Sequence, residues 1–329
     1  RDLHLSIRRQ RQMCIRDSYG EDVVVARLTA LLESGPGLVT GPGDDCAVVE
    51  GAGRGQVELL KTDCLICGVH FLPSAPPGKV GWKAVARTLS DFAAMGGWPR
   101  HLLVTVALPA DCRMRWVEEV YRGMNKCARA FDCSIVGGET SSLPSGAPVM
   151  ISVAGTGSAR RSQVVLRRGG RSGDLLFVTG RLGGSQRGRH LSFMPRVVEA
   201  DWLSRNFRVR AMMDLSDGLA MDLPRLASAS GCGFRLREEA LPRSRGVTVA
   251  EALSDGEDYE LLLAISERSS QRLIADWPER FPGVKLTCIG ELSAEGPEGS
   301  EGSVLCALAA ATAAGCCNRC WCTDWCSWR

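Results

Sequence analysis

The sequence contains no run of about 18 apolar residues, the minimum for a membrane-spanning helix. It also lacks a basic excess in its main body. The formal net charge is +3, and residues 1–18 account for it with five arginines and two aspartates; the rest of the chain has as many acidic as basic residues. Nucleic-acid-binding domains usually show a basic excess. We therefore expect neither a membrane nor a nucleic acid as a partner of the main body.

Several common motifs are also missing. No phosphate-binding loop of the form G-x-x-x-x-G-K-[ST] occurs, and neither the H-R-D nor the D-F-G element of protein kinases is present. These absences exclude an ordinary P-loop enzyme and a protein kinase. No secretory signal is evident, and nine of the 15 cysteines are scattered singly. We therefore expect reduced thiols in a cytoplasmic protein.

The two ends of the chain differ in composition from the middle. Residues 1–18 are rich in arginine and have no helical or strand period, which favours a non-native extension. A transit peptide and a nucleic-acid-binding arm stay open as alternatives. Residues 304–329 hold six of the 15 cysteines and three of the eight tryptophans. Cys317 and Cys320 have the spacing of half a zinc site, but no second pair of matching spacing follows. We interpret this tail as disordered or frame-shifted.

Between the ends, helical and strand patterns alternate. The stretch "PPGKVGWKAVARTLSDFAAMGG" opens with prolines and closes with glycines, as a helix does. Its apolar residues Val85, Leu89 and Phe92 recur at helical spacing. "VELLKTD" and "HLLVTVALP" are typical of strands. The pattern predicts an α/β fold, or α+β layers, with one domain at 19–159 and a second at 160–303.

Acidic residues collect where predicted elements end, beside Gly, Ser or Thr, as in "TGPGDDCAVV". Each taken alone is more readily a cap or turn residue. Together they form a pattern, because ligands of open α/β folds bind outside strand ends. Carboxylates gathered there would repel one another without cations, and Mg²⁺ prefers oxygen ligands and commonly bridges to phosphates. The pattern predicts several magnesium ions and a polyphosphate substrate, most simply ATP. The residues are Asp45, Asp63, Asp91, Glu139, Asp214, Asp217, Glu257 and Asp258.

Basic, glycine-rich segments supply the opposite charge. Arg167 and Arg168 precede "GGRSGD", and "GRLGGSQRGRH" spans residues 180–190. Its backbone N–H groups and Arg189 are suited to binding phosphate oxygens. A flexible basic surface loop is an equally open interpretation.

Six motifs in fixed order carry a family resemblance: "GPGDDCAVV", "KTDCLICGVHFLP", "GWKAVARTLSDFAAMGGWP", "VGGETS", "MDLSDGL" and "DGEDYELL". They resemble the thiamine-monophosphate kinase family of the aminoimidazole-ribonucleotide-synthetase-like superfamily, over roughly residues 19–292. The resemblance implies a two-domain α/β subunit and a homodimer built through strands of the N-terminal domain. It also implies transfer of the γ-phosphoryl group of ATP to thiamine monophosphate, which gives thiamine diphosphate and ADP.

The resemblance further implies a site of three parts. The magnesium ligands are Asp45, Thr62, Asp63, Asp91, Glu139, Asp214 and Asp217. The ATP contacts are Tyr121, Gly138, Glu139, Arg167 and Ser216. The thiamine monophosphate contacts are His70 and Glu257. Judged from "GVHF" alone, His70 would be interpreted as a core histidine.

The chain departs from the family pattern at four places. Glu139 stands where Asp is usual. Lys61 stands where Ser or Thr is usual, and this lysine either removes a metal contact or touches a phosphate. The stretch 180–196 is short, and the C-terminal motif with an aromatic residue that packs on the substrate is missing. Two alternatives stay open. One is a sister enzyme of the selenophosphate, aminoimidazole ribonucleotide or hydrogenase-maturation type, without "GEDYEL"; the other is a zinc- or nucleic-acid-binding protein that uses the two ends.

Overall fold

The structure, a computed structural model, describes residues 21–294. The predicted features of residues 1–18 and of the cysteine-rich tail lie outside this range. Residues 21–160 form the first part, whose strands make one sheet in the order β1-β2-β3-β6-β4-β5, antiparallel except for the parallel β4–β5 pair. The elements are α1 (Glu21–Thr29), β1 (Leu38–Thr40), β2 (Ala47–Glu50), β3 (Gln56–Ile66), α2 (Pro77–Ala94), β4 (Trp98–Pro109), α3 (Met114–Ala130), β5 (Ser134–Leu143) and β6 (Met150–Arg160).

Residues 161–294 form the second part, around a second sheet. This sheet is antiparallel throughout, in the order β8-β10-β7-β11-β9. The predicted mixture of helices and strands in layers is confirmed. The elements are β7 (Asp174–Thr179), α4 (Val197–Asn206), β8 (Ala211–Asp214), α5 (Leu219–Ala229), β9 (Gly233–Leu236), α6 (Val249–Ser254), β10 (Leu261–Ser266), α7 (Glu267–Arg280) and β11 (Leu286–Ser293).

Helix α2 lies at the centre of the molecule. It begins at Pro77, where the missing N–H of proline costs nothing. It packs on α3 and β3 of its own part and on α4 and β8 of the second part. Because the helix is covered on several sides, its polar side chains Lys83, Ser90 and Asp91 are buried as well as its apolar ones. Buried polar groups require partners, so α2 is where charged contacts between the two parts are expected.

The first sheet has one covered face and one open face. On β3, Val57 and Leu59 are buried, whereas Glu58, Leu60 and Thr62 alternate with them and are exposed. Strand β5, at the edge, is exposed almost throughout. Within residues 21–294 no layer covers this open face. Among the described helices, none has the length and apolar character needed to cross a membrane.

Helices α2 and α3 approach each other closely at two glycines. A Cβ atom added at Gly81 would lie 1.9 Å from the carbonyl oxygen of Val120. One added at Gly123 would lie 2.0 Å from the carbonyl oxygen of Gly78. Backbone atoms cannot yield to such contacts as a flexible side chain can. The two glycines therefore set the distance between the helices and, with it, the position of the polar groups on α2.

Replacing Gly123 by Ala should force the helices apart and lower the free energy of unfolding by about 1–3 kcal/mol, as overpacking does. This loss should appear although alanine favours helix more than glycine does. Urea denaturation measures it. Gly35→Ala is the control, because nothing lies within 4 Å of the added atom; it should stay within about 0.5 kcal/mol of the wild type. Equal stability of Gly123→Ala and the wild type would contradict the close approach.

Candidate active site

Three buried aspartates from distant places in the sequence meet where the two parts join. Asp45 lies just before β2, Asp91 lies near the end of α2, and Asp214 ends β8. One carboxylate oxygen of each lies within 4.8 Å of those of the other two. We call these three residues the aspartate cluster. All three were predicted as metal ligands, and the fold brings them together.

Cations lie against two members of the aspartate cluster. Arg167 Nη2 lies 2.6 Å from Asp45 Oδ1. The backbone N–H of Arg167 also donates to Asp44 Oδ1, at 2.6 Å. Lys61 Nζ lies 3.2 Å from Asp91 Oδ2. The adjacent carboxylates of "GDD" are thus both used to fix Arg167 at the rim of the site.

The third member and its neighbour Asp63 are held differently. Asp214 has no ion-pair partner in the described part of the chain, and the Ser90 hydroxyl donates to its Oδ2 at 2.6 Å. Asp63 lies beside the cluster and interacts with Asp91. Arg87 Nη2 lies 3.3 Å from Asp63 Oδ1, and its Nη1 donates to the carbonyl oxygen of Cys64 at 3.0 Å. Negative charge is therefore least compensated at Asp214.

The pKa shifts of these groups indicate that the negative charge of the cluster is only partly compensated. Burial, with the charge of Asp45 added to it, raises the pKa of Asp214 to about 7. Burial also raises the pKa of Asp91 well above its ordinary value, although Lys61 opposes this. At Asp63 burial acts in the same sense, but Arg87 and Lys61 outweigh it and the pKa is lowered. Hard oxygen donors short of positive charge are the environment that magnesium prefers, so the residues present fit this ion.

The two residues predicted to contact thiamine monophosphate meet at one buried lysine. Lys83 Nζ forms an ion pair with the Glu257 carboxylate, and both side chains are almost completely buried. The same ammonium donates to the carbonyl oxygen of His70 at 2.6 Å. His70 Nδ1 accepts the N–H of Ile66 at 3.0 Å, which places the ring hydrogen on Nε2. Sequence reasoning missed Lys83, although it lies eight residues before Asp91, on the same helix face.

The loop that carries Glu257 has an unusual backbone. Glu257 and Tyr259 have φ angles of 55° and 52°, in the left-handed region that side chains other than Gly rarely adopt. Their backbone N–H groups donate to the carbonyl oxygens of Ser216 and Leu215, at 2.7 and 2.8 Å. The Tyr259 ring stacks on Phe193 with centroids 4.0 Å apart. These contacts hold the strained loop so that Glu257 points at α2.

Other predicted site residues are not members of the aspartate cluster. Thr62 is on the opposite face of its strand, with Oγ1 3.4 Å from Ser152 Oγ. Asp217 is about half exposed and pairs with Arg225. Glu139 is exposed on β5, and its carboxylate accepts the N–H of the next residue. Their roles stay predictions, as do those of Tyr121 and Ser216, which are half buried, and of Gly138, which is exposed.

The polar groups of the loop at 180–190 form hydrogen bonds and an ion pair with other residues of the protein. The N–H of Gly183 donates to Asp258, and that of Gly184 donates to Asp255 at 2.8 Å. Arg189 Nη2 lies 2.7 Å from Asp258 Oδ1. Burial raises the pKa of Asp258 to about 7, although these donors oppose it. Because the groups expected to bind phosphate already have partners, the geometry favours a structural role for this loop.

Comparison with known families matches both parts. The N-terminal domain of AIR synthase related protein matches residues 43–159, and the C-terminal domain of the same family matches residues 151–320. The fold and its site therefore define a two-domain protein of the AIR synthase related class.

Individual relatives narrow this class. The thiamine-monophosphate kinase of Rhodopirellula baltica is 36% identical over 275 residues, which cover 78% of this chain and 84% of the relative. That of Salmonella typhimurium is 34% identical over 285 residues, covering 78% and 85%. A solved structure described as AaThiL complexed with AMPPCP and TMP is 32% identical, with a TM-score of 0.73, covering 86% of this chain and 94% of that one. This chain belongs to the thiamine-monophosphate kinase family, a family of phosphotransferases, and the resemblance is confirmed.

Replacing Lys83 by Met should leave the Glu257 carboxylate buried without its cation and cost about 3–5 kcal/mol of unfolding free energy. The double variant Lys83→Met/Glu257→Gln should recover much of this loss, because the uncompensated charge is removed. Urea denaturation of the two single variants and the double variant measures the coupling. Losses that simply add would show that the pair is not coupled.

Proposed function

We propose that this chain transfers the γ-phosphoryl group of ATP directly to the phosphate of thiamine monophosphate, with magnesium held by Asp45, Asp91 and Asp214. One observation carries the proposal: three buried carboxylates converge where the two parts of the chain join, and Arg167 and Lys61 pair with only two of them. The relative solved with AMPPCP, an ATP analogue, and TMP supports the choice of substrates.

The reaction makes modest chemical demands on the protein. The acceptor is already an anionic phosphate, so no strong general base and no covalent enzyme intermediate are needed. The obstacle is to bring two polyanions together, which makes positioning and electrostatics the main tasks. When bound, magnesium would screen this repulsion and align the attack. Arg167, a quarter exposed while it pairs with Asp45, is placed to bind a phosphate oxygen.

Helix α2 sets the distance between the two halves of the proposed site. Lys83, with His70 and Glu257 beside it, lies eight residues before Asp91, about 12 Å along the helix axis. An acceptor that spans this distance would place its phosphate near Asp91 and its rings near His70. We therefore keep His70 and Glu257 as the thiamine monophosphate side of the site.

We also propose that the chain acts as a homodimer through the open face of its first sheet. Leu60, Leu103 and Val136 expose 39%, 51% and 59% of their surface on three of its strands. Apolar side chains gathered on one exposed face are typical of an interaction surface. A second copy there would also enclose Gly138 and Glu139 on β5, which stand far from the cluster within one subunit.

³¹P NMR of the protein with ATP, Mg²⁺ and thiamine monophosphate should show thiamine diphosphate and ADP. Asp45→Asn and Asp91→Asn should each lower turnover by at least about 100-fold, since each removes charge from the site that stabilises the transition state. Asp132→Asn is the control: Asp132 is exposed in a left-handed conformation that asparagine also adopts. Turnover like that of the wild type in both site variants would contradict the assignment.

Sedimentation velocity should give the mass of two chains for the wild type. Leu103→Glu should shift the protein to one chain, because a charge would be buried in the open face. Ile274→Glu is matched to it, since Ile274 is 53% exposed on α7, in the other part of the molecule. It should leave the dimer intact. A wild-type protein with the mass of one chain, or a dimer that persists in Leu103→Glu, would overturn this assembly.

A further inference from the structure

Lys61 reaches into the site from β3. It lies two residues before Asp63, and residues two apart on a strand share a face. Its Nζ atom lies 3.2 Å from Asp91 Oδ2, and its side chain is about three quarters buried. The ammonium is thus fixed against a member of the aspartate cluster.

Lys61 is one of three cations that face four neighbouring aspartates. Arg87 pairs with Asp63 and Arg167 pairs with Asp45. Each of these arginines is anchored by a further bond outside the cluster: the Arg87 guanidinium donates to the carbonyl oxygen of Cys64, and the Arg167 backbone donates to Asp44. Among the described residues, the one ion pair that Lys61 forms within 4 Å is with the cluster member Asp91, and its charge also acts on Asp63 and Asp45. Its ammonium therefore lies where a cation bound to Asp91 would otherwise lie.

We propose that Lys61 is a fixed cation of the aspartate cluster, which takes the place of one divalent ion beside Asp91 and limits how many such ions the cluster binds. A divalent ion entering at this oxygen would have to share it with an ammonium of like charge, and the two repel each other. The ions that do bind would then be held by Asp45, Asp214 and the other carboxylate oxygen of Asp91, Oδ1. This inference rests on the proposed function only for the presence of a divalent ion, not for the identity of the acceptor.

The test counts bound ions on the metal-free full chain, with no nucleotide present. Mn²⁺ is titrated as the probe by calorimetry and by the loss of the free-ion electron paramagnetic resonance signal. Lys61→Ser should bind one more Mn²⁺ per chain than the wild type. Lys61→Arg, which keeps the charge, should bind as many ions as the wild type. Lys126→Ser, a change on the exposed face of α3, should also match the wild type. An equal number of ions in Lys61→Ser and the wild type would overturn the proposal.

Thermal unfolding separates this role from a merely structural one and covers the case in which Lys61→Ser folds poorly. The less drastic variant Lys61→Gln, which keeps most of the stem, is melted in EDTA and in Mg²⁺ beside the wild type. Its midpoint should fall in EDTA and regain most of that loss in Mg²⁺, because the ion replaces the missing charge. An equal fall in both solutions would assign Lys61 to packing and overturn the proposal. A missing kinase product with these ion counts intact would instead count against the proposed function.

Discussion

Mutual repulsion of three buried carboxylates is the constraint around which the molecule is arranged. The oxygens of Asp45, Asp91 and Asp214 lie within 4.8 Å of one another, although like charges in a poorly hydrated place repel strongly. Compensation comes from both parts of the chain: Lys61 from the first sheet and Arg167 from the segment that leads to the second. The Arg167–Asp45 pair of the site therefore also joins the two parts of the chain.

Helix α2 carries charged groups of the site along much of its length. Its charged side chains Lys83, Arg87 and Asp91 recur every four residues and so lie along one side of the helix. The helix is seated against α3 at Gly81 and Gly123, where no side chain intervenes. Because the two helices touch through backbone atoms, α2 has little freedom to shift against α3. Lys83 and Asp91 are therefore held in fixed positions relative to the rest of the first part.

The sequence was informative where the signal is local. The ends of α2, its buried stripe and the three clustered aspartates could be predicted, because proline, glycine and helical spacing mark them directly. The ion pair of Lys83 with Glu257 could not, since its members are 174 positions apart and neither is unusual in its own neighbourhood. Thr62 shows a second limit. Side chains alternate between the faces of a strand, so those of the neighbours Thr62 and Asp63 lie on opposite faces, and the predicted role of Thr62 stays a prediction.

The position of β6 in the first sheet has a consequence for how the chain folds. Strand β4, helix α3 and strand β5 follow one another and pair in place, whereas β6 lies between β3 and β4, with Thr62 opposite Ala154. Closing that pairing joins segments about ninety residues apart, and such non-local contacts form slowly. Asp63 lies on β3, the strand that pairs with β6 in this step. The strand that carries Asp63 is therefore expected to reach its final pairing after the local β4–α3–β5 unit has formed.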